Sequence, residues 1–319
     1  MRVNVLVLDD VFDLGLSAVL DAFQTANELI GMAKLSVPRF DVRTVGLRKT
    51  VKTAQGLRVP IQAIDGRVPD CVVVPAIGFK MPRPLEAALA RSEVREAAAA
   101  LRLWAERGAL MSAACIGTFV MAESGLLDRQ RATTTWWLAP LFRQRYPDVL
   151  LEESHMIVRS GRVVTAGAAL SHMDLALWLV RRTSPQVASL TAKYLIVDAR
   201  PSQSAYALTD HLVHSDPIVQ RFERWARSHV ARGFSLNEAA RTVGSSKRTL
   251  ARRMQSVLGK SPLSYFQSLR VERAVHLLKT TNASVDEVAE RVGYADGVTL
   301  RTLLRRRLNQ GIREIRRTP

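Results

Sequence analysis

The feature that most constrains the fold is a segment that occurs twice in the last hundred residues. Residues 235–244, SLNEAARTVG, return as residues 284–293, SVDEVAERVG, at a constant offset of 49 positions. Serine, glutamate, alanine, valine and glycine stand at matching places, which marks an internal duplication. In each copy the serine precedes a short amphipathic run, Leu236, Ala239, Ala240 and Val243 in the first and Val285, Val288, Ala289 and Val292 in the second. The serine is expected to cap the unpaired N–H groups of a first helical turn. Glu238 and Glu287, three residues on, are expected to complete a capping box. Gly244 and Gly293 should then end each helix, because glycine enters a left-handed turn without steric cost. A second apolar-periodic run follows, with Leu250, Met254, Val257 and Leu258 in copy one and Leu300, Leu303, Leu304 and Leu308 in copy two. Two short helices around a glycine turn predict a helix-turn-helix, made twice, at about 235–258 and 284–308.

The polar faces of the second helices decide between an ordinary helical domain and a nucleic-acid binder. They carry Lys247, Arg248, Arg252 and Arg253 in copy one and Arg301, Arg305, Arg306 and Arg307 in copy two, with almost no acid between them. A merely solvated face usually mixes signs. Residues 217–319 hold 21 Lys or Arg against 8 Asp or Glu, a net of +13, whereas residues 1–216 hold 25 against 21, a net of +4. Most of the +17 on the chain therefore sits in one third of it. That asymmetry predicts a phosphate-binding surface for double-stranded DNA.

The hairpins are joined by residues 262–281, PLSYFQSLRVERAVHLLKTT, which read as one long helix. On these residues the stretch 217–317 resembles the DNA-binding domain of AraC/XylS-type transcriptional regulators. The resemblance implies a linker helix that holds two recognition helices for successive major grooves. It also places Arg248, Ala251 and Arg252 towards bases in copy one, with Ser246 and Lys247 at the start of that helix. In copy two the corresponding positions are Val298, Arg301 and Thr302, while Arg305 and Arg306 fall where phosphates run. The chain departs from the family pattern at Leu300 and Leu304, where Phe is usual, and at Asn309 and Ile312, where Gly and Pro are usual. A more loosely built second hairpin is the expectation there.

The rest of the chain alternates strand and helix signals. A length of 319 residues predicts two domains, and 47% hydrophobic residues suffice for real cores. Residues 3–8, VNVLVL, form an apolar run suited to a strand buried on both faces, and residues 14–30 have helical periodicity. Residues 40–45, 71–76 and 109–114 are further strands; 84–107 and 116–124 read as helices. Residues 157–167 look like a hairpin around Ser160 and Gly161, followed by a helix over 168–182. The pattern predicts a doubly wound α/β domain with a flavodoxin-like parallel sheet, ahead of the all-α domain. The expected organisation is an α/β domain over 1–182, a connector over 183–216 with its joint near Pro201, and a DNA-binding domain over 217–319. No stretch approaches the ~20 apolar residues of a membrane span, and the first residues, MRVNVLVLDD, read as a strand and not as a signal peptide. Two cysteines, Cys71 and Cys115, make neither a disulfide framework nor a metal cluster. A cytoplasmic protein without cofactor, metal or membrane contact is expected.

Chemistry in the α/β domain is suggested by residues 112–128, SAACIGTFVMAESGLLD. A strand that ends in Cys115 and turns at once into a helix has the arrangement of a nucleophile elbow, at the strand edge where α/β sheets place ligands. The helix N-terminus beyond it favours a thiolate or a bound anion. A free cysteine is also often just a small buried hydrophobe. Residues 1–182 resemble the PfpI-like, glutamine-amidotransferase-like domain of one branch of AraC-type regulators, with Cys115 at the nucleophile position. The resemblance implies an acid in the first helix that touches the cysteine, here Asp21 where Glu is commoner. It also implies backbone N–H groups of the loop 75–79, PAIGF, facing a pocket at Gly78 and Ile116. Relatives often read Thr-Thr-His-Trp where this chain has TTTWW, so Thr135 stands in place of the histidine, beside Trp136. Threonine is no base at neutral pH. His155 and His172 are the nearby candidates, His172 at a place where relatives carry a small residue and where it would intrude on the pocket.

The expected ligand-binding set is therefore Asp21, Gly78, Cys115, Ile116, Thr135, Trp136 and His172, and no residue is expected to be catalytic. The resulting reading is a DNA-binding transcriptional regulator, an activator, that works as a homodimer with RNA polymerase and responds to an unknown small-molecule effector. A cysteine-dependent amidase or hydrolase with a basic appendage, and an architectural nucleic-acid binder, stay open as rivals.

Overall fold

The computed structural model describes residues 1–198, 203, 212, 214, 216–308 and 311–317. It divides into two compact units, residues 1–204 and 205–319.

The first unit is built on a seven-stranded sheet. Its strands are β1 (Arg2–Leu6), β2 (Asp41–Gly46), β5 (Gln62–Ala63), β6 (Cys71–Val74), β7 (Leu110–Ala114), β10 (Ile157–Ser160) and β11 (Val163–Ala166). Two small ribbons complete the strands, β3 (Thr50–Lys52) with β4 (Arg58–Pro60) and β8 (Arg131–Ala132) with β9 (Leu150–Leu151). The order across the sheet is β10-β11-β7-β6-β1-β2-β5. All neighbours are parallel except the β10–β11 hairpin, which turns at Ser160 and Gly161 as its sequence predicts. The five central parallel strands thus run second, first, third, fourth, fifth, the flavodoxin-like winding. Continuous burial of β1, β6, β7 and β11 follows from helices on both faces: Val3, Val5, Val72, Val73, Ala113 and Val164 have no more than 0% exposure.

Those helices are α1 (Asp13–Met32), α2 (Pro82–Leu89), α3 (Ser92–Glu106), α4 (Gly117–Ala122), α5 (Ala139–Arg145), α6 (Ser171–Thr183) and α7 (Pro185–Tyr194). One expectation fails: residues 84–107 are two helices and not one. Arg91 is extended (φ −64°, ψ 150°) and its guanidinium pairs with Asp10 at 2.8 Å, so a long-range contact breaks a run whose alanines would have continued the helix. The joint expected near Pro201 lies outside the described residues.

The second unit is helical: α8 (Pro217–Ser228), α9 (Leu236–Thr242), α10 (Lys247–Leu258), α11 (Pro262–Thr280), α12 (Val285–Arg291), α13 (Gly297–Leu308) and α14 (Ile312–Arg317). Both duplicated segments form the expected hairpins, and Gly244 (φ +67°) and Gly293 (φ +79°) take the left-handed turns. Ser235 accepts the Glu238 N–H and Ser284 the Glu287 N–H, but the reciprocal bond that completes a capping box exists only in copy two. In copy one the Glu238 carboxylate faces His229 at 3.7 Å instead. The linker helix α11 serves two cores. Tyr265, Phe266 and Leu269 pack with Phe222, Leu250 and Met254, while Val271, Ala274 and Leu278 pack with Val288, Leu300 and Leu304. Leu300 and Leu304, in place of the usual Phe, are fully buried, and Ile312 packs against the same core; Asn309 lies outside the described residues.

Candidate nucleic-acid interface and buried cysteine site

The second helices of the two hairpins, α10 and α13, each bury one stripe and expose another. In α10, Leu250, Met254 and Leu258 recur four residues apart on the buried side. Lys247, Arg248 and Arg252 lie on the exposed side, as do Arg301, Arg305 and Arg306 in α13. None of these six cations enters an ion pair or hydrogen bond among the described residues. Two arginines of the same runs differ: Arg253 pairs with Asp216 at 2.9 Å, and Arg307 donates to Gln267 Oε1 at 2.9 Å. Tertiary contacts therefore subtract two guanidinium groups from the basic faces and leave six. Val298 is 66% exposed, a large apolar side chain presented on the same face. Thr302 donates its hydroxyl to the Val298 carbonyl at 3.0 Å, which leaves only its lone pairs for another partner. Ser246 caps α10 by accepting the Thr249 N–H at 3.1 Å, so its hydroxyl is already engaged. The equivalent position in copy two is Asp296, which accepts the Thr299 N–H at 2.7 Å, a bond that lowers its pKa.

The two hairpins are braced by Arg270 at the middle of α11, a residue with no local sequence signal. It is 8% exposed, its Nε donates to the Val230 carbonyl at 3.0 Å, and its guanidinium also reaches the Arg232 carbonyl. The same group lies 4.9 Å from the Phe266 ring centre and 5.0 Å from that of Tyr294. Carbonyls before copy one and an aromatic ring at the turn of copy two thus share one planar cation.

In the first unit β7 is followed directly by Cys115, whose φ of +56° places a non-glycine residue in the left-handed region. This is the sharp strand-to-helix turn expected of an elbow. The turn is tied down on both sides: Cys115 donates its N–H to the Ala166 carbonyl at 2.8 Å, and its own carbonyl accepts the Thr134 hydroxyl at 2.8 Å. Cys115 as a whole is 3% exposed. Burial pushes its pKa up to about 12, against the weaker pull of the Ile116 N–H and the Thr135 hydroxyl. Thr135 is fully buried, and its hydroxyl makes no hydrogen bond among the described residues. Trp136 is half-buried and packs edge-on against Trp137 at 5.6 Å.

His172 reaches the loop that follows β6. It is fully buried at the start of α6, where Nδ1 faces the Ala169 carbonyl at 2.6 Å and Nε2 accepts the Ala76 N–H at 3.0 Å. These partners fix the neutral tautomer with its proton on Nδ1. Desolvation lowers its pKa to about 4. The ring lies so close to Gly15 that a Cβ there would come within 2.6 Å of Nε2, so only glycine fits at that place.

Three expectations are corrected here. Asp21 is exposed on α1 and forms none of the described bonds to Cys115. The α1 residue against the His172 ring is Gly15, six positions earlier, and at about 100° per residue those two positions point to different sides of a helix. The Gly78 amide does not face a pocket, because it donates to the Asp10 carbonyl at 2.7 Å; the loop amide on offer is that of Ala76, and His172 holds it. His155 is exposed and pairs with Glu152 at 3.4 Å. Among the described residues no group of three or more His, Cys, Asp or Glu side chains is placed to hold a metal ion.

Comparison with known proteins agrees with both units. The DJ-1/PfpI family matches residues 1–182, and the helix-turn-helix domain family matches residues 239–318. The HTH-type transcriptional regulator GbdR of Pseudomonas aeruginosa is 26% identical over 299 residues, 92% of this chain and 77% of that protein. The HTH-type transcriptional activator RhaS of an Enterobacter strain is 34% identical over 127 residues, 40% of this chain and 44% of that one. A solved AraC family transcriptional regulator from Pseudomonas putida shares the fold of the first unit, with a TM-score of 0.51 at 19% identity over 61% of this chain and 98% of that one. The chain belongs to the DJ-1/PfpI family and joins to that fold an AraC-type helix-turn-helix domain, the architecture of a transcriptional regulator.

Proposed function

We propose that the second unit reads DNA through α10 and α13 and that the first unit is a non-catalytic effector domain through which a small molecule controls that reading. The observation that carries the DNA reading is the set of six exposed cations without a partner among the described residues, on two recognition helices hung from one linker. Arg248 and Arg252, four residues apart, suit paired hydrogen bonds to guanine. Arg305 and Arg306 suit phosphates, which position a protein without reading sequence.

The same proposal takes Cys115, Ile116, Thr135, Trp136 and His172 as the surroundings of the effector and not as an active site. A thiol with a pKa near 12 is almost wholly protonated at neutral pH. His172 cannot activate it while Ala76 and Ala169 hold both ring nitrogens. The similarity to a transcriptional activator, RhaS, supports activation; in this reading the protein acts with RNA polymerase as a cytoplasmic homodimer. No helix among the described residues is long and apolar enough to cross a membrane. The test is selection of a preferred duplex from random DNA, followed by titrations at several salt concentrations. A preferred duplex with a steep, linear loss of log affinity on log salt is the expected result. Equal, salt-insensitive binding to all duplexes would overturn it.

A further inference from the structure

Gln203, outside the span matched to the DJ-1/PfpI family, is fully buried in the first unit. Its Nε2 lies 2.7 Å from the Glu153 carbonyl, 2.9 Å from the Thr134 carbonyl and 3.2 Å from Thr133 Oγ1. Its backbone N–H donates to the Ser154 carbonyl at 3.1 Å. A carboxamide nitrogen has two hydrogens, so one of the three acceptors exceeds what it can serve. Its other end fares worse: Oε1 is buried with no hydrogen-bond partner among the described residues. Among the described residues the niche is therefore rich in acceptors and poor in donors, a mismatch for a carboxamide. A group with three N–H donors and no acceptor, a primary ammonium, would give one N–H to each of these three oxygens and leave no acceptor of its own unpaired. Thr133 supports this orientation, since its hydroxyl hydrogen goes to the His155 carbonyl at 3.1 Å and leaves lone pairs towards the niche.

The walls of the niche are the segments that hold the cysteine turn. Thr134 gives its carbonyl to Gln203 and its hydroxyl to the Cys115 carbonyl. Gly167 follows Ala166, the acceptor of the Cys115 N–H, and a Cβ on Gly167 would come within 2.7 Å of the Gln203 carboxamide. An occupant exchanged here acts on both supports of Cys115.

We propose that this niche is the subsite for the head group of a primary-amine effector, and that Gln203 is an internal stand-in which the amine displaces. This rests on the reading of the first unit as an effector domain. Displacement frees the Gln203 backbone from Ser154 and so reports ligand binding to the chain beyond it.

The experiment compares methylammonium with tetramethylammonium chloride, which has no N–H, on the full-length chain at matched ionic strength. In Gln203→Ala the vacated niche should bind methylammonium, raising the melting temperature of the first unit by a few degrees, while tetramethylammonium does nothing. In the wild type, methylammonium should speed hydrogen exchange at the Gln203 amide at least about fivefold, again without effect from tetramethylammonium. Should Gln203→Ala fail to fold, the wild-type exchange measurement decides alone. Equal responses to the two salts, or none to either, overturn the proposal. A DNA titration of Arg248→Ala run beside it separates the premises. If that substitution still lowers affinity while the salts act alike, the niche is wrong and the regulator reading stands.

Discussion

The Ala76 backbone N–H donates to Nε2 of His172 over 3.0 Å, so the loop amide at the strand edge is satisfied from within the domain. A protonated imidazole has no lone pair on Nε2 and cannot accept that bond. Burial lowers its pKa to about 4 from an ordinary 6.5, against the opposing pull of the Ala169 carbonyl, which favours the protonated ring.

A pH dependence follows. The folded pKa lies below the unfolded one, so the unfolded state binds the extra proton first. The stabilisation is fully present above about pH 6.5 and is lost as pH falls towards 4, at up to roughly 1.4 kcal/mol per unit. Urea unfolding followed by tryptophan fluorescence reports mainly the first unit, which holds Trp104, Trp136, Trp137 and Trp178. Between pH 7 and 4.5 the wild type should lose more stability than His172→Gln; equal losses would contradict the assignment.

Both thiols should resist alkylation. Burial pushes Cys71 and Cys115 alike to about 12. At pH 8 a group with that pKa is about one part in ten thousand thiolate, against roughly a quarter for a free cysteine. Iodoacetamide labelling of the native chain at pH 8 should therefore be slower than that of free cysteine by about a thousandfold, and become fast in urea. Rapid, selective labelling of native Cys115 would instead mark an activated nucleophile.

The two hairpins should divide the labour on DNA. Arg248→Ala and Arg252→Ala should each cost about 1–3 kcal/mol of discrimination between the preferred and a scrambled duplex. Arg305→Ala should weaken both duplexes alike and make the salt slope shallower by about 0.9. Titrations of the three variants at several salt concentrations check this, and a collapse of discrimination in Arg305→Ala would reverse the roles.

Arg270→Met should destabilise the second unit by about 2 kcal/mol or more, because it leaves the Val230 and Arg232 carbonyls without their donor. Lysine should not rescue it, since a point ammonium cannot donate to two carbonyls and lie against two rings at once. Thermal unfolding of Arg270→Met and Arg270→Lys measures both; full recovery by lysine would mean that charge alone matters there.

Much of this was legible in the sequence because it is local or periodic. The repeat at 49 residues, its serine caps and its glycine turns depend on neighbours within one helical turn, so the two hairpins could be placed residue by residue. The apolar run ending at Leu8 announced a strand buried on both faces, those ending at Ala76 and Ala114 announced further strands, and the turn at Cys115 followed from a strand meeting a helix without a linker. Charge asymmetry between the two thirds and the last third is additive over residues and needs no fold to be counted.

Pairings between distant positions were settled by the tertiary structure alone. Nothing local distinguishes Arg253 and Arg307, which are tied to Asp216 and Gln267, from Arg252 and Arg306, which are not. Gly15 of α1, and not Asp21, lies against His172, a residue more than 150 positions away. Gln203 and Arg270 are ordinary polar residues until folding surrounds them with carbonyl oxygens and removes the water that would otherwise satisfy them. Sequence patterns carry which face of an element is apolar; which polar atom finds which partner is decided only when the elements pack, because a buried hydrogen bond depends on positions that no local period relates.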